Sequence, residues 1–101
     1  MNMNIQNLMR EAQKMQKNLQ KTQEELSKTT YEGVSSLVSV TLNGNKDIVG
    51  IKISCDDHIE KDDIEMLEDM ILVAFKDAAK KVDMDKEKKL GKYGQGLAGL
   101  M

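Results

Sequence analysis

Leu37-Val38-Ser39-Val40-Thr41-Leu42-Asn43-Gly44-Asn45-Lys46-Asp47-Ile48-Val49-Gly50-Ile51-Lys52-Ile53 is the stretch on which the fold turns. Apolar and polar residues alternate up to Leu42, so Val38, Val40 and Leu42 share one face of a strand. Asn43-Gly44-Asn45-Lys46 is a turn sequence, because Asn and Gly accept positive φ. Beyond it the alternation resumes, with Val49, Ile51 and Ile53 on one face. Two such runs about a turn make a β-hairpin. Lys28–Ser35, with Tyr31 and Val34 around Gly33, reads as a third, weaker strand. An isolated hairpin is marginal in water, so one face of so small a sheet must be covered.

The cover lies downstream. Asp62-Asp63-Ile64-Glu65 reads as a helix start, with Asp62 as the cap and Glu65 reaching back to it. The acidic first turn suits the positive end of the helix dipole. Ile64, Leu67, Ile71, Ala74, Phe75, Ala78 and Val82 then form a stripe at helical spacing. Met66, Met70 and Val73 widen it to a second apolar face. One face suffices for the sheet, and the other calls for a second subunit.

Upstream of the hairpin, Ile5, Leu8, Ala12, Met15, Leu19 and Leu26 recur at heptad spacing, with Thr22 in the remaining slot. No Gly or Pro interrupts this first helix. About 24 residues at 1.5 Å each make a rod of ~36 Å. Its apolar stripe is too narrow to bury against a whole domain, and it suits one partner helix or the edge of a compact body. After Lys89 come Gly91, Gly94, Gly96 and Gly99, the composition of a mobile tail. The reading is an α+β fold in the order α-β-β-β-α, a single domain over 1–101. It comprises a helix at 4–27, a small sheet at 28–54, a helix at 62–89 and a tail at 90–101.

Composition agrees with one small soluble domain. The 101 residues are 40% hydrophobic and 32% charged, too apolar for wholesale disorder. Tyr31, Phe75 and Tyr93 are the only aromatics, so the core falls to Ile, Leu, Val, Ala and the eight Met residues. No segment has the roughly 20 apolar residues that span a bilayer, and the N-terminus lacks a signal-peptide run. A lone cysteine, Cys55, makes no internal disulfide and points to the reducing cytoplasm.

Enzyme chemistry finds little support. Cys55-Asp56-Asp57-His58 contains metal-ligand types, but zinc needs three or four ligands and there is no second Cys or His. As a nucleophile, Cys55 has His58 nearby and no orienting third group. The carboxylates from Asp56 to Asp69 fit the solvated face of a capped helix better than a catalytic pocket. Neither glycine-containing segment matches a phosphate loop.

Charge is more informative. The net charge is −2, which argues against a simple polycation, but the charges are segregated. Residues 1–30 carry five basic against three acidic residues, residues 55–70 one against eight, and residues 76–92 seven against four. Arg10, Lys14, Lys17 and Lys21 form a stripe on the first helix away from its apolar seam, and Gln6, Gln13 and Gln20 run alongside at seven-residue steps. One reading is a solvated coiled-coil surface. The other is a rod facing phosphates, each cation releasing a counterion, with weak and salt-sensitive contact. Lys80, Lys81, Lys86, Lys88, Lys89 and Lys92 extend the same field.

Asn7-Leu8-Met9-Arg10-Glu11-Ala12-Gln13-Lys14-Met15-Gln16, with Gln23-Glu24-Glu25-Leu26, resembles the opening helix of the YbaB/EbfC family of bacterial nucleoid-associated proteins. Leu37–Gly44 is similar to that family's central strand and Asn-Gly turn. Glu65-Met66-Leu67-Glu68-Asp69-Met70-Ile71 and Ala74-Phe75-Lys76-Asp77-Ala78 resemble its last helix, and Gly96–Met101 its short glycine-rich tail. The resemblance covers nearly the whole chain in order. It departs in loops and tail: Ser54-Cys55-Asp56 stands where the family often has Asp-Pro, and the tail has no proline.

This resemblance implies an intertwined homodimer whose sheets join at the centre while the helices project as two arms. It also implies DNA binding at the nucleoid in the cytoplasm, with no enzymatic activity and no cofactor. Charge and geometry then nominate Arg10, Lys14, Lys17 and Lys21 as phosphate contacts on double-stranded DNA, with Lys80 and Lys81 as secondary candidates. Nucleoid organisation, gene expression or repair are the processes such binding would influence. The acidic Asp56–Asp69 zone keeps a rival open: an adaptor whose helical arms bind a replication or recombination protein.

Overall fold

Val38, Val40 and Leu42 lie at the centre of the molecule, completely buried, as their alternation requires. The computed structural model describes residues 4–55 and 58–91. It contains α1 (Ile5–Lys28), β1 (Thr30–Ser35), β2 (Val38–Asn43), β3 (Ile48–Ile53) and α2 (Ile64–Leu90). The sheet is antiparallel in the order β1-β2-β3. Asp56, Asp57 and the expected tail from Lys92 onward lie outside the described residues.

β1 is a full strand rather than a weak one, paired with β2 from Thr30 opposite Asn43 to Ser35 opposite Val38. α2 lies across β1 and β2 and buries Leu67, Ala74, Ala78 and Val82 on them. The approach is close because the residues at the crossing are small. A Cβ on Gly33 would fall 2.0 Å from the Ala74 carbonyl oxygen and 2.4 Å from the Ala78 nitrogen. Tyr31, Met70, Ile71, Phe75 and Ala79 pack around this core.

Three local expectations change. The second helix is not capped by Asp62 with Glu65. One turn of 3₁₀ helix at Lys61–Asp63 precedes it, and the Glu60 N–H donates to the Asp63 carboxylate at 3.1 Å. Asp63 is the residue three positions after Glu60, so the reciprocal geometry sits two residues earlier than expected.

Gly44 in the hairpin turn is not the residue with positive φ; Lys46 is, at φ 63°. Asn43 instead folds the turn by accepting from the Asn45 and Asp47 N–H groups at 2.8 and 3.1 Å. Gly44 is required by proximity, since a Cβ there would meet the Leu26 carbonyl oxygen at 2.0 Å.

The alternation of β3 is also interrupted. Thr41 pairs with Gly50 but Leu42 pairs with Ile48, which leaves Val49 as the extra residue of a bulge. Ile51 and Ile53 remain opposite Val40 and Val38, whereas Val49 leaves their register. All six β3 residues are exposed, because α2 covers the other two strands.

α1 is fastened only at its C-terminal end, where Leu26 is buried. Thr29 closes the helix by donating its N–H to the Glu25 and Leu26 carbonyls and its hydroxyl to Glu25. Every residue from Ile5 to Asn18 is exposed. The molecule therefore measures 75 × 20 × 15 Å, with a radius of gyration of 20.2 Å. A compact chain of this length would have about 13 Å. Among the described residues, no helix is long and apolar enough to cross a membrane.

Candidate nucleic-acid interface

The projecting α1 begins at Asn4, whose side chain accepts the Gln6 N–H at 2.9 Å and so satisfies one free donor of the first turn. From there the helix runs unbroken to Lys28. Arg10, Lys14, Lys17 and Lys21 are all exposed on it, and among the described residues none forms an ion pair. Arg10 to Lys21 spans about 16 Å of helix at 1.5 Å per residue. Arg10, Lys14 and Lys17 share one shallow concavity with Gln13, Gln16 and Gln20.

The two nominated lysines of α2 differ from these. Lys81 is tied to the body: its Nζ donates to the Glu32 carbonyl at 2.6 Å and lies 3.4 Å from Asp77. Lys80 is exposed and has no ion pair among the described residues. Lys46 and Lys89 are likewise engaged, with Asp83 at 2.8 Å and Asp85 at 3.0 Å. All four nominated cations of α1 are thus without ion pairs among the described residues, whereas of the nominated α2 pair only Lys80 is. Sequence spacing showed the stripe on α1 but not the fastening of Lys81, because Glu32 and Lys81 meet only through the β1–α2 packing.

Tyr31 and Asp85 mark where α2 runs past the root of α1. The Tyr31 hydroxyl donates to the Asp85 carboxylate, which also holds Lys89. Partial burial, then the hydrogen bond and charge of Asp85, push the Tyr31 phenol up to about 12. The hydrogen bonds from Tyr31 and Lys89 hold Asp85 below the usual carboxylate range. The acidic start of α2 is distant from this point. Glu65 precedes Asp85 by about three-quarters of the helix, roughly 30 Å, so the basic arm and the acidic zone are well separated.

Among the described residues no group of His, Cys, Asp and Glu is arranged to hold a metal. Cys55 and His58 are exposed, and His58 contacts the Glu60 carboxylate at 2.5 Å.

Known proteins match this sequence and this fold. A nucleoid-associated protein of Ligilactobacillus salivarius is 38% identical over 100 residues, covering 97% of this chain and 95% of that one. One from Streptococcus suis is 43% identical over 97 residues, covering 94% and 97%. An uncharacterized protein of Helicobacter pylori, solved as a crystal structure, superposes with a TM-score of 0.71. It is 22% identical, and the match covers 92% of this chain and all of that one. The α-β-β-β-α fold and its basic arm thus sit within a class of small bacterial nucleoid-associated proteins. The chain belongs to the YbaB/EbfC DNA-binding family, whose model matches residues 1–97.

Proposed function

We propose that this protein works as a homodimer that holds double-stranded DNA on its α1 arms, chiefly through phosphates, at the nucleoid in the cytoplasm. Influence on nucleoid organisation, gene expression or repair would follow from that binding. The observation that carries the reading is the arm itself: a helix fastened at one end, bearing four exposed cations without ion pairs among the described residues. Lysines that pair with local carboxylates have less to gain from a phosphate. Arg10, Lys14, Lys17 and Lys21 have the most, and exposed Lys80 adds to the field near the root.

The unpaired edge of β3 supports the dimer. Ile48, Ile51 and Ile53 are exposed on an edge strand whose outer backbone groups, among the described residues, pair with no further strand. Such an edge is a template for another strand.

Fluorescence anisotropy on a labelled duplex at about 50 mM and about 200 mM salt tests the reading. Affinity should fall with salt at a slope near −0.9 per phosphate contact. Lys14→Glu with Lys17→Glu should weaken binding about tenfold or more while circular dichroism and the oligomeric state stay unchanged. Unaltered affinity in that variant would sink the site assignment.

The exposed seam of Ile5, Leu8 and Met15 favours a second reading, in which the arms hold a helix of a replication or recombination protein. A dimer that binds no duplex at low salt would select it.

A further inference from the structure

We propose that α1 also reads bases, through the ridge Gln6, Arg10, Gln13, Lys17 and Gln20, and that its glutamines select adenine in the major groove. This rests on the DNA-binding reading above. The five residues follow one another at steps of four and three, so they form a single continuous row on the helix. At 100° per residue they fall within an arc of about 80°, nearly opposite the apolar seam. Lys14 and Lys21 lie beside the row, on the side of Arg10 and Lys17 away from the glutamines. Gln13 and Gln20 share the concavity with Arg10, Lys14 and Lys17. Among the described residues, no hydrogen bond engages the side-chain amide of Gln6, Gln13, Gln16 or Gln20.

A helix that only gathered phosphates would gain from a cation at each of these positions, since every added charge releases a counterion. Here alternate positions are a neutral planar amide. Its carbonyl and NH₂ match the N6 donor and N7 acceptor of adenine, while Arg matches O6 and N7 of guanine. An α-helix fits the major groove, with flanking lysines placed for the phosphate wall. Glu24 takes the next step of the row, and its carboxylate ends the surface a duplex can accept. From Gln6 to Gln20 the row is about 21 Å long, at most six base-pair steps.

The test uses the full-length protein and two alternating A·T duplexes, one normal and one with 7-deazaadenine throughout. That replacement removes the N7 acceptor and leaves the phosphates in place. Wild type should bind the 7-deaza duplex about tenfold more weakly. The triple variant Gln6→Ala, Gln13→Ala, Gln20→Ala should bind both duplexes alike, with its salt slope unchanged; Ala preserves the helix. Lys14→Gln with Lys21→Gln should weaken both equally and, with two lysines lost from each of two arms, reduce the slope by about 3.6. Equal wild-type affinity for the two duplexes, with a steep salt slope, would overturn base reading and leave the phosphate-binding arm intact. No binding of either duplex at low salt would defeat the DNA-binding reading itself.

Discussion

Gly33 and Tyr31, two residues apart on β1, hold α2 by different means. Gly33 lets the helix backbone approach to where a methyl group cannot fit, between Ala74 and Ala78. Gly33→Ala should therefore cost about 1–3 kcal/mol by overpacking. Gly91→Ala, where a Cβ meets nothing within 4 Å, should leave denaturant unfolding nearly unchanged. Tyr31 acts through its hydroxyl on Asp85. The folded chain keeps the phenol proton to about 12, above the ordinary 10.0. Its stabilisation is thus complete below pH 10 and is lost as pH rises towards 12. Asp85 is shifted the opposite way, so its share is present at neutral pH and is lost in acid, below its ordinary 3.8. Tyr31→Phe should cost roughly 1 kcal/mol at neutral pH and flatten the alkaline fall in stability, read by urea unfolding across pH 7–12. Neither contact is written locally. Gly33 and Ala74 lie 41 residues apart in the chain, and their spacing carries no period that announces the meeting.

At the scale of elements, what could be read from sequence depended on how each one is buried. β2 is buried on one face by α2, so its Val38, Val40 and Leu42 stand out as a period of two. The seam of α1 was as clear, and so was the stripe of α2. β3 was placed correctly as a strand, but its faces were not, because a bulge at Val49 breaks a pattern that still looks alternating in sequence. The cap at the start of α2 lies two residues before the one read from sequence, because Glu60, Asp62, Asp63 and Glu65 offer several capping registers. Ile51 is 49% exposed and Ile53 is 42% exposed, although both lie opposite the most deeply buried residues of the chain. An apolar edge of this kind is an aggregation hazard unless covered. Ile51→Asp with Ile53→Asp should leave the β1–β2–α2 packing in place. It should also convert a species of about 23 kDa, twice 11.4 kDa, to a monomer by sedimentation equilibrium. A wild type sedimenting as a monomer at micromolar concentration would refute the dimer.

At the scale of the whole molecule, the proposed dimer and the proposed DNA contact depend on one another. Its accessible surface is 8073 Å², whereas a compact monomer of this mass would expose about 5,800 Å². The arm, exposed from Ile5 to Asn18, and the uncovered strand β3 contribute to that excess. A single α1 arm offers four cations over about 16 Å, a contact that salt would readily dissolve. Two arms fixed to one body make the second contact intramolecular, which raises affinity by up to 10²–10⁴-fold without any new residue at the DNA. The monomeric Ile51→Asp, Ile53→Asp variant keeps Arg10, Lys14, Lys17 and Lys21 unchanged. It should nevertheless bind a labelled duplex at least tenfold more weakly than the wild type and with about half the salt slope, because half the phosphate contacts are gone. Equal affinity and slope in that monomer would mean that each arm acts alone. The acidic zone of α2, held roughly 30 Å from the root of the arm, then has a simple electrostatic consequence. It repels the duplex from the far end of the body, so the net charge of −2 and DNA binding are compatible in one small chain.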